Sequence, residues 1–276
     1  LRLLAAGNGN CQILAGGTDL LVRLRSEMGD EPESILDIKR IEELREITPE
    51  AGGWRIGAAV SGAEMGEHPA LVADWPGVVE AMNLIGSTQI QGRATLAGNL
   101  CNASPAADSV PAMVAAGAMA RIAGPDGARD IPVSEVPTGP GRTSLGKAEF
   151  ITSIYLPPRP EGGGDAYLRF TPRSEMDIAV VGCGVALTLD GAGICISARV
   201  SLGAVGPVVM LVEAGAGALV GTEVDDAALD ALAAACSDAA SPIDDKRGTV
   251  AFRTHVAGVL ARRAASIAKT RAGGAS

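Results

Sequence analysis

The chain has 276 residues, 47% of them hydrophobic, which is enough for two or three modest domains with a sizeable buried core. Its 32 acidic and 23 basic residues give a net charge of −9, which argues against DNA or RNA as a partner. The sequence has neither a run of about 20 uncharged apolar residues nor a basic-then-apolar leader, so we expect a cytoplasmic protein without a membrane span.

The N-terminal half predicts short strands and helices joined by glycine turns. Residues 11–15 read as a strand that leads through a glycine pair into a helix at 20–25. The other predicted elements of this half are strands at 34–38 and 54–58, a short helix or turn at 39–46, helices at 76–85 and 106–117, a hairpin at 119–133 and a strand at 150–156.

The second half begins after a segment rich in proline and glycine at 157–165, which predicts a linker and a domain boundary near residue 162. Strands at 180–189 and 194–202 form a predicted hairpin, and helices at 225–240 and 249–271 follow. We interpret the basic residues of the last helix as its solvent-exposed face: Arg253, Arg262, Arg263, Lys269 and Arg271. The chain opens at Leu1 inside an amphipathic segment, so we expect that residues precede it in the natural protein.

The cysteines and histidines exclude several kinds of redox centre. The five cysteines are widely scattered without a C-x-x-C pair, and the two histidines, His68 and His255, lie far apart. We therefore expect neither a disulfide framework nor a zinc or iron–sulfur site held by this chain alone. Redox chemistry would then depend on an organic cofactor or on a partner.

The glycine pair Gly16-Gly17 lies between a predicted strand and a helix N-terminus. Successive main-chain N–H groups can converge there, and the helix dipole favours an anion, so the turn is a candidate phosphate cradle. The alternative is that two glycines only make a tight turn, and the pair alone does not decide between the two.

A second constellation spans residues 93–108, where polar side chains stand among small residues. Small residues let a ligand approach the backbone closely, and the polar members can hydrogen-bond to it. Asp108 could bind a sugar hydroxyl or could simply place a favourable charge in the first turn of a helix. The polar side chains of the segment are Thr95, Asn99, Asn102, Ser104 and Asp108.

Residues 141–148 read G-x-x-x-x-G-K-A, close to a nucleoside-triphosphate P-loop. Ala148 lacks the hydroxyl that would hold Mg²⁺, and a strand rather than a helix is predicted to follow. We therefore do not interpret this segment as a nucleotide site. No G-x-G-x-x-G or G-x-S-x-G motif occurs in the sequence.

Three segments together resemble the flavin-binding subunit of molybdenum hydroxylases, a family that includes the medium subunit of aerobic carbon monoxide dehydrogenase and the FAD domain of xanthine dehydrogenase. They are A-G-G-T-D at 15–19, A-T-L-A-G-N-L-C-N-A-S-P-A-A-D at 94–108 and R-S-E-M-D-I-A at 173–179. The resemblance covers nearly the whole chain in the right order. It implies an α+β fold: two FAD-binding subdomains of the PCMH type, at 1–50 and 51–162, and a smaller C-terminal domain of sheet and helices at 163–276.

The resemblance also implies a set of cofactor-binding residues. Main-chain amides of the first segment would wrap the FAD pyrophosphate, the second segment would contact the phosphates, the flavin side and the ribose or ribityl hydroxyls, and Ile151 would lie near the adenine or the ring system. Arg169 stands where the family commonly has a lysine that approaches the flavin, and Ala97 replaces the first glycine of the family's Gly-Gly-Asn turn. The implied set is Ala15, Gly16, Gly17, Thr18, Asp19, Thr95, Ala97, Gly98, Asn99, Ser104, Asp108, Ile151 and Arg169.

For function, the resemblance implies an electron relay. A large molybdopterin-binding subunit would oxidise the substrate, a small subunit with two [2Fe–2S] clusters would carry the electrons, and FAD on this chain would pass them to an external acceptor. A dimer of heterotrimers is the implied assembly. Two alternatives are a standalone flavin-dependent oxidoreductase and a cofactor-free assembly subunit.

Overall fold

The computed structural model describes residues 1–6, 11–26, 31–174 and 176–273. Its N-terminal part is small: helix α1 (Arg2–Ala6), strand β1 (Cys11–Leu14), helix α2 (Leu20–Arg25) and strand β2 (Ser34–Asp37). The two strands pair in parallel, with Cys11 opposite Ser34 and Leu14 opposite Asp37. The Lys39 ammonium donates to the Ala15 carbonyl oxygen at 3.0 Å and so fixes the end of β1 beside β2.

The middle part is an antiparallel sheet in the order β3-β4-β9-β5-β6, with helices inserted between β4 and β5. Buried aliphatic side chains and methionines fill the space between sheet and helices, as a composition with 3% aromatic residues requires. The strands are β3 (Ile47–Glu50), β4 (Gly53–Gly57), β5 (Met119–Gly124), β6 (Gly127–Pro132), the small pair β7 (Pro137–Gly139) and β8 (Arg142–Thr143), and β9 (Phe150–Leu156). The helices are α3 (Gly62–Gly66), α4 (Pro69–Asp74), α5 (Pro76–Asn83), α6 (Thr88–Gln91), α7 (Leu96–Asn102) and α8 (Ser109–Ala115).

The C-terminal part is a second antiparallel sheet in the order β10-β11-β12-β13, with helices on one face. Its elements are β10 (Gly163–Phe170), β11 (Val181–Leu189), β12 (Cys195–Gly203), β13 (Met210–Leu211), α9 (Glu213–Leu219), α10 (Asp226–Ala239) and α11 (Val250–Arg271). Helix α11 packs on β10 and β11 through buried alanines, and a Cβ at Gly164 would lie 2.0 Å from the Ala268 carbonyl oxygen. None of the helices in the described ranges has the length and apolar character needed to cross a bilayer.

Helices α5 and α8 of the middle part pack on the strands of the C-terminal sheet. Glycines of that sheet make the approach close: a Cβ at Gly184 would lie 2.5 Å from the Pro111 carbonyl oxygen, and one at Gly203 would lie 2.7 Å from the Pro111 ring. The backbone of α8 therefore lies directly against β11 and β12.

The short helix or turn predicted at 39–46 is a 3₁₀ helix at Glu42–Leu44. Three other sequence predictions need correction. The linker ends earlier than predicted because β10 already begins at Gly163. Helix α8 is shorter than 106–117, and Asp108 precedes its first turn without capping it. Arg253 is only 4% exposed, not on the solvent face, because Val180 and Ala204 carbonyls and the Asp245 carboxylate bind its guanidinium.

An arginine cluster joins the linker to both parts of the molecule. The Arg159 guanidinium donates to the carbonyl oxygens of Asp74, Gly163 and Arg271. The Arg271 guanidinium in turn donates to the Asp165 carbonyl oxygen at 2.9 Å and pairs with Glu80 of α5. The end of α11 is therefore fastened to the middle part as well as to its own sheet.

Asp165 is the buried acid of this cluster. It is 4% exposed, its Oδ1 has no hydrogen-bond partner among the described residues, and it borders a small cavity of about 140 Å³. Burial raises the pKa of this carboxyl from 3.8 to about 6, in spite of the nearby Arg159 and Arg271.

We expect Asp165→Asn to change how stability depends on pH. The folded chain holds the Asp165 proton more tightly than the unfolded chain does. The contribution of Asp165 to the free energy of unfolding is therefore full below about pH 4 and falls as the pH rises through about 6. The variant should therefore gain up to about 3 kcal/mol relative to wild type between pH 4 and pH 7. Urea unfolding across this range measures the difference, with Asp126→Asn in an exposed turn as the matched control. A variant that tracks wild type at every pH contradicts the expectation.

Candidate cofactor site

A cavity of about 430 Å³ lies between the N-terminal part and the middle part. Its size is within the range typical of small-molecule sites. Three segments of the chain form most of its walls, and they come from residues 11–23, 94–102 and 143–151.

The first wall is the turn after β1. No acceptor in the described part of the chain takes a hydrogen bond from the main-chain amides of residues 16–19. Gly17 has a φ of +82°, in the left-handed region that glycine tolerates, and a Cβ at Gly16 would lie 1.9 Å from the Arg93 carbonyl oxygen. The turn thus lines the cavity with N–H groups that have no partner in the described residues, while its backbone packs against the second wall. Such a turn can hold an anionic group.

The second wall is the N-terminal end of α7. Thr95 is 2% exposed and caps the helix, because its hydroxyl accepts from the Gly98 amide at 2.9 Å. The Asn99 side-chain oxygen accepts from the Ser109 hydroxyl at 2.7 Å, which ties α7 to α8. Ala97 lies inside α7, where a Cβ is ordinary, so the alanine in place of the family's glycine needs no special backbone.

The third wall contains residues that sequence reasoning missed. Gly146, Lys147 and Ala148, from the segment set aside as P-loop-like, line the cavity together with Glu149 and Phe150. A glycine and a lysine side by side before a strand are the available signal. Comparison with a P-loop does not reveal it, because Ala148 lacks the hydroxyl that would hold Mg²⁺ and because a P-loop needs a following helix. Ile151, which the resemblance implied, lies at the start of β9 on the same wall.

Three residues of the implied set do not line the cavity. Ser104 has its hydroxyl oxygen bound to the Ala106 amide at 3.2 Å, within its own turn. Asp108 and Arg169 bind each other, with 2.7 Å between the carboxylate Oδ2 and the guanidinium Nη1. Among the residues described as lining the cavity are Ala15, Gly16, Gly17, Thr18, Asp19, Thr95, Ala97, Gly98, Asn99 and Ile151.

Asp108 links the middle part to the C-terminal sheet. Its second carboxylate oxygen accepts from the Tyr167 hydroxyl at 2.9 Å, so both oxygens are bound to side chains of β10. Burial raises the pKa of the Asp108 carboxyl, and the Arg169 charge only partly offsets this effect. Burial also raises the pKa of the Tyr167 hydroxyl, which the Asp108 charge reinforces. The hydroxyl therefore stays protonated and donates to the carboxylate.

The electrostatics of the cavity suit binding rather than acid–base chemistry. Burial raises the pKa of Asp19 and raises that of the Cys101 thiol to about 12, so the thiol stays protonated at neutral pH. No histidine is among the lining residues in the described ranges, and these ranges contain no cluster of His, Cys, Asp and Glu suited to a metal ion. Unpaired amides together with apolar side chains such as Ile13, Leu145 and Phe150 fit an organic molecule with an anionic group.

Comparisons with known proteins identify relatives of this chain over nearly its whole length. The profile described as "FAD binding domain in molybdopterin dehydrogenase" matches residues 1–159, and that described as "CO dehydrogenase flavoprotein C-terminal domain" matches 166–268. The putative xanthine dehydrogenase FAD-binding subunit of Escherichia coli K12 is 31% identical, over 98% of this chain and 93% of that protein. The carbon monoxide dehydrogenase medium chain of Afipia carboxidovorans is 33% identical, over 94% of this chain and 89% of that protein.

Solved structures also resemble this fold over nearly the whole chain. A chain of reconstituted CO dehydrogenase from Oligotropha carboxidovorans superposes with a TM-score of 0.93 and 32% identity, covering 98% of this chain and 93% of that chain. The likeness therefore includes the N-terminal part, the middle part and the C-terminal sheet together.

Proposed function

The chain belongs to the family of FAD-binding subunits of molybdenum-containing dehydrogenases, and on that basis we propose that FAD lies in the described cavity with its diphosphate against the amides of residues 16–19. The observation that carries the proposal is a cavity lined both by residues 16–19, whose main-chain N–H groups have no partner in the described part of the chain, and by the start of α7. Amides in such a turn stabilise the negative charge of a diphosphate.

We also propose a role for the Asp108–Arg169 ion pair, which does not line the cavity. Asn99 lines the cavity and holds Ser109, the residue that follows Asp108, so the pair lies just beyond the α7–α8 junction. We propose that this pair contacts the flavin side or the sugar hydroxyls of an extended cofactor. Because Asp108 fixes the guanidinium of Arg169, the remaining N–H donors of that group keep one orientation. The segment at 173–179, the third one on which the resemblance rests, includes Glu175, which lies outside the described residues.

When bound, FAD supplies a carrier that accepts and releases two electrons, together or singly. The chain's residues bind and orient it: the glycine turn holds the anionic centre, Thr95 keeps the start of α7 in place, and Ile151 excludes water from the ring systems. We propose that the chain is an oxidoreductase subunit of a dimer of heterotrimers. It would take electrons from a small two-[2Fe–2S] subunit, which receives them from a large molybdopterin-binding subunit, and pass them to an external acceptor.

The proposed location is the cytoplasm. All five cysteines lie in described residues and none forms a disulfide. Unpaired thiols of this number are typical of a reducing compartment.

Flavin analysis of the purified complex tests the proposal. We expect a flavin absorption spectrum, and we expect the denatured protein to release FAD and not FMN, because the cradle is built for a diphosphate. Release of FMN, or an active complex without flavin, would contradict it. Titration of the apoprotein with FAD distinguishes a cofactor-free assembly subunit, which would show no saturable binding. Turnover of a small molecule by the isolated chain would instead favour a standalone flavin-dependent oxidoreductase.

A further inference from the structure

We propose that Lys147 is the cationic partner of the cofactor's diphosphate and that residues 143–149 form a fixed wall that carries it. This inference rests on the proposed FAD site and adds to it a binding residue that neither the glycine turn nor the start of α7 provides.

The first support is the distribution of charge around the cavity. The charged side chains of the lining are Asp19, Arg23, Lys147 and Glu149. Arg129 neutralises Glu149 at 2.8 Å, and Arg23 donates to the Gln12 side-chain oxygen at 2.8 Å. Lys147 is exposed and has no ion pair or hydrogen bond within the described part of the chain. It is therefore a lining cation available to an anionic ligand. Arg23 also keeps its positive charge, but one of its N–H groups is engaged by Gln12, whereas all the donors of Lys147 are free of partners in the described residues.

The second support is the need for such a cation. A dinucleotide diphosphate carries two negative charges at neutral pH, whereas this chain carries a net charge of −9. Unpaired amides contribute only partial charges, so a full positive charge at the same cavity would add a charge-assisted contact. Lys147 supplies one from the wall that completes the cavity.

The third support is the rigidity of the segment that carries Lys147. The Glu149 carboxylate accepts from the Gly146 amide at 2.6 Å, and the Arg129 guanidinium donates to both of its oxygens, so the residues on both sides of Lys147 are fixed. Ala148 has a φ of +64°, a strained conformation that costs about 1 kcal/mol or more and persists only where its surroundings impose it. The turn thus holds the lysine at the cavity rather than letting the segment relax.

Equilibrium titration of the apoprotein with FAD tests the role of Lys147. Flavin fluorescence reports binding, and the titration is done at low and at physiological salt. We expect Lys147→Gln to weaken FAD binding about tenfold, Lys147→Glu to weaken it further and Lys147→Arg to restore most of it. The loss in Lys147→Gln should shrink as salt screens the charge. Riboflavin, which has no phosphate, should bind wild type and Lys147→Gln alike.

Lys246→Gln is the matched control, because it removes the same charge from an exposed site outside the cavity lining. Circular dichroism establishes that each variant is folded. Equal FAD affinity in wild type, Lys147→Gln and Lys147→Glu overturns the inference and leaves the proposed site standing. A wild-type chain with no FAD affinity overturns both.

Discussion

Gly16→Ala is expected to lose FAD affinity by about 100-fold or more, corresponding to about 3 kcal/mol, so that the purified protein retains little flavin. The added Cβ would lie 1.9 Å from the Arg93 carbonyl oxygen and 2.6 Å from its carbon, which are backbone atoms that no side-chain rotation can move away. The turn would have to shift, and the amides of residues 16–19 would no longer converge on one anion.

Gly17 adds a second constraint at the same turn. Its φ of +82° is unfavourable for any residue with a Cβ, and that atom would also meet the Leu14 side chain at 2.7 Å. The double substitution Gly16→Val with Gly17→Val should therefore abolish FAD retention entirely.

The flavin-to-protein absorbance ratio after desalting measures both variants, and circular dichroism with thermal unfolding establishes whether the fold survives. Gly217→Ala is the matched control, since nothing lies within 4 Å of a Cβ added there. A folded Gly16→Ala variant with a full complement of FAD would contradict the proposal that the diphosphate binds at this turn.

Asp108→Ala is expected to destabilise the folded chain by about 3 to 5 kcal/mol. The Arg169 side chain is only 7% exposed, and removing its partner would leave a buried positive charge uncompensated. The Tyr167 hydroxyl would lose its acceptor at the same time. The cost is large because the free energy needed to bury the guanidinium remains while the attraction that offset it is gone.

Two further variants separate the charge from the hydrogen bond. Tyr167→Phe removes one hydrogen bond and should cost about 1 kcal/mol. Combining Asp108→Ala with Arg169→Met removes both charges and should recover part of the loss, because no buried charge is then left unpaired. Urea unfolding of the four proteins gives the comparison. If Asp108→Ala proves no more costly than Tyr167→Phe, the ion pair contributes little to stability.

The sequence predicted the regular elements well because their signals are local. Glycine turns, alternating apolar residues and capping residues placed most strands and helices, and the resemblance brought the two stretches around Gly16 and Thr95 into one expected site. The structure puts both on the walls of a single cavity.

What the sequence could not predict depends on contacts between distant residues. The partners of Asp108 lie on β10, and no periodicity links an acid before α8 to a tyrosine and an arginine on that strand. Arg253 looked like a surface residue of an amphipathic helix, but loop carbonyls and Asp245 enclose it. The sequence does not predict the third cavity wall, because its glycine and lysine precede a strand, whereas the P-loop motif requires a following helix.

The backbone contact between α8 and the glycines of β11 and β12 limits how far the middle part and the C-terminal sheet can move against each other. An interface this close resists rocking, because closely packed interiors have little free volume to deform into. The loop with Asp108 and the strand with Arg169 would therefore keep one separation through every turnover.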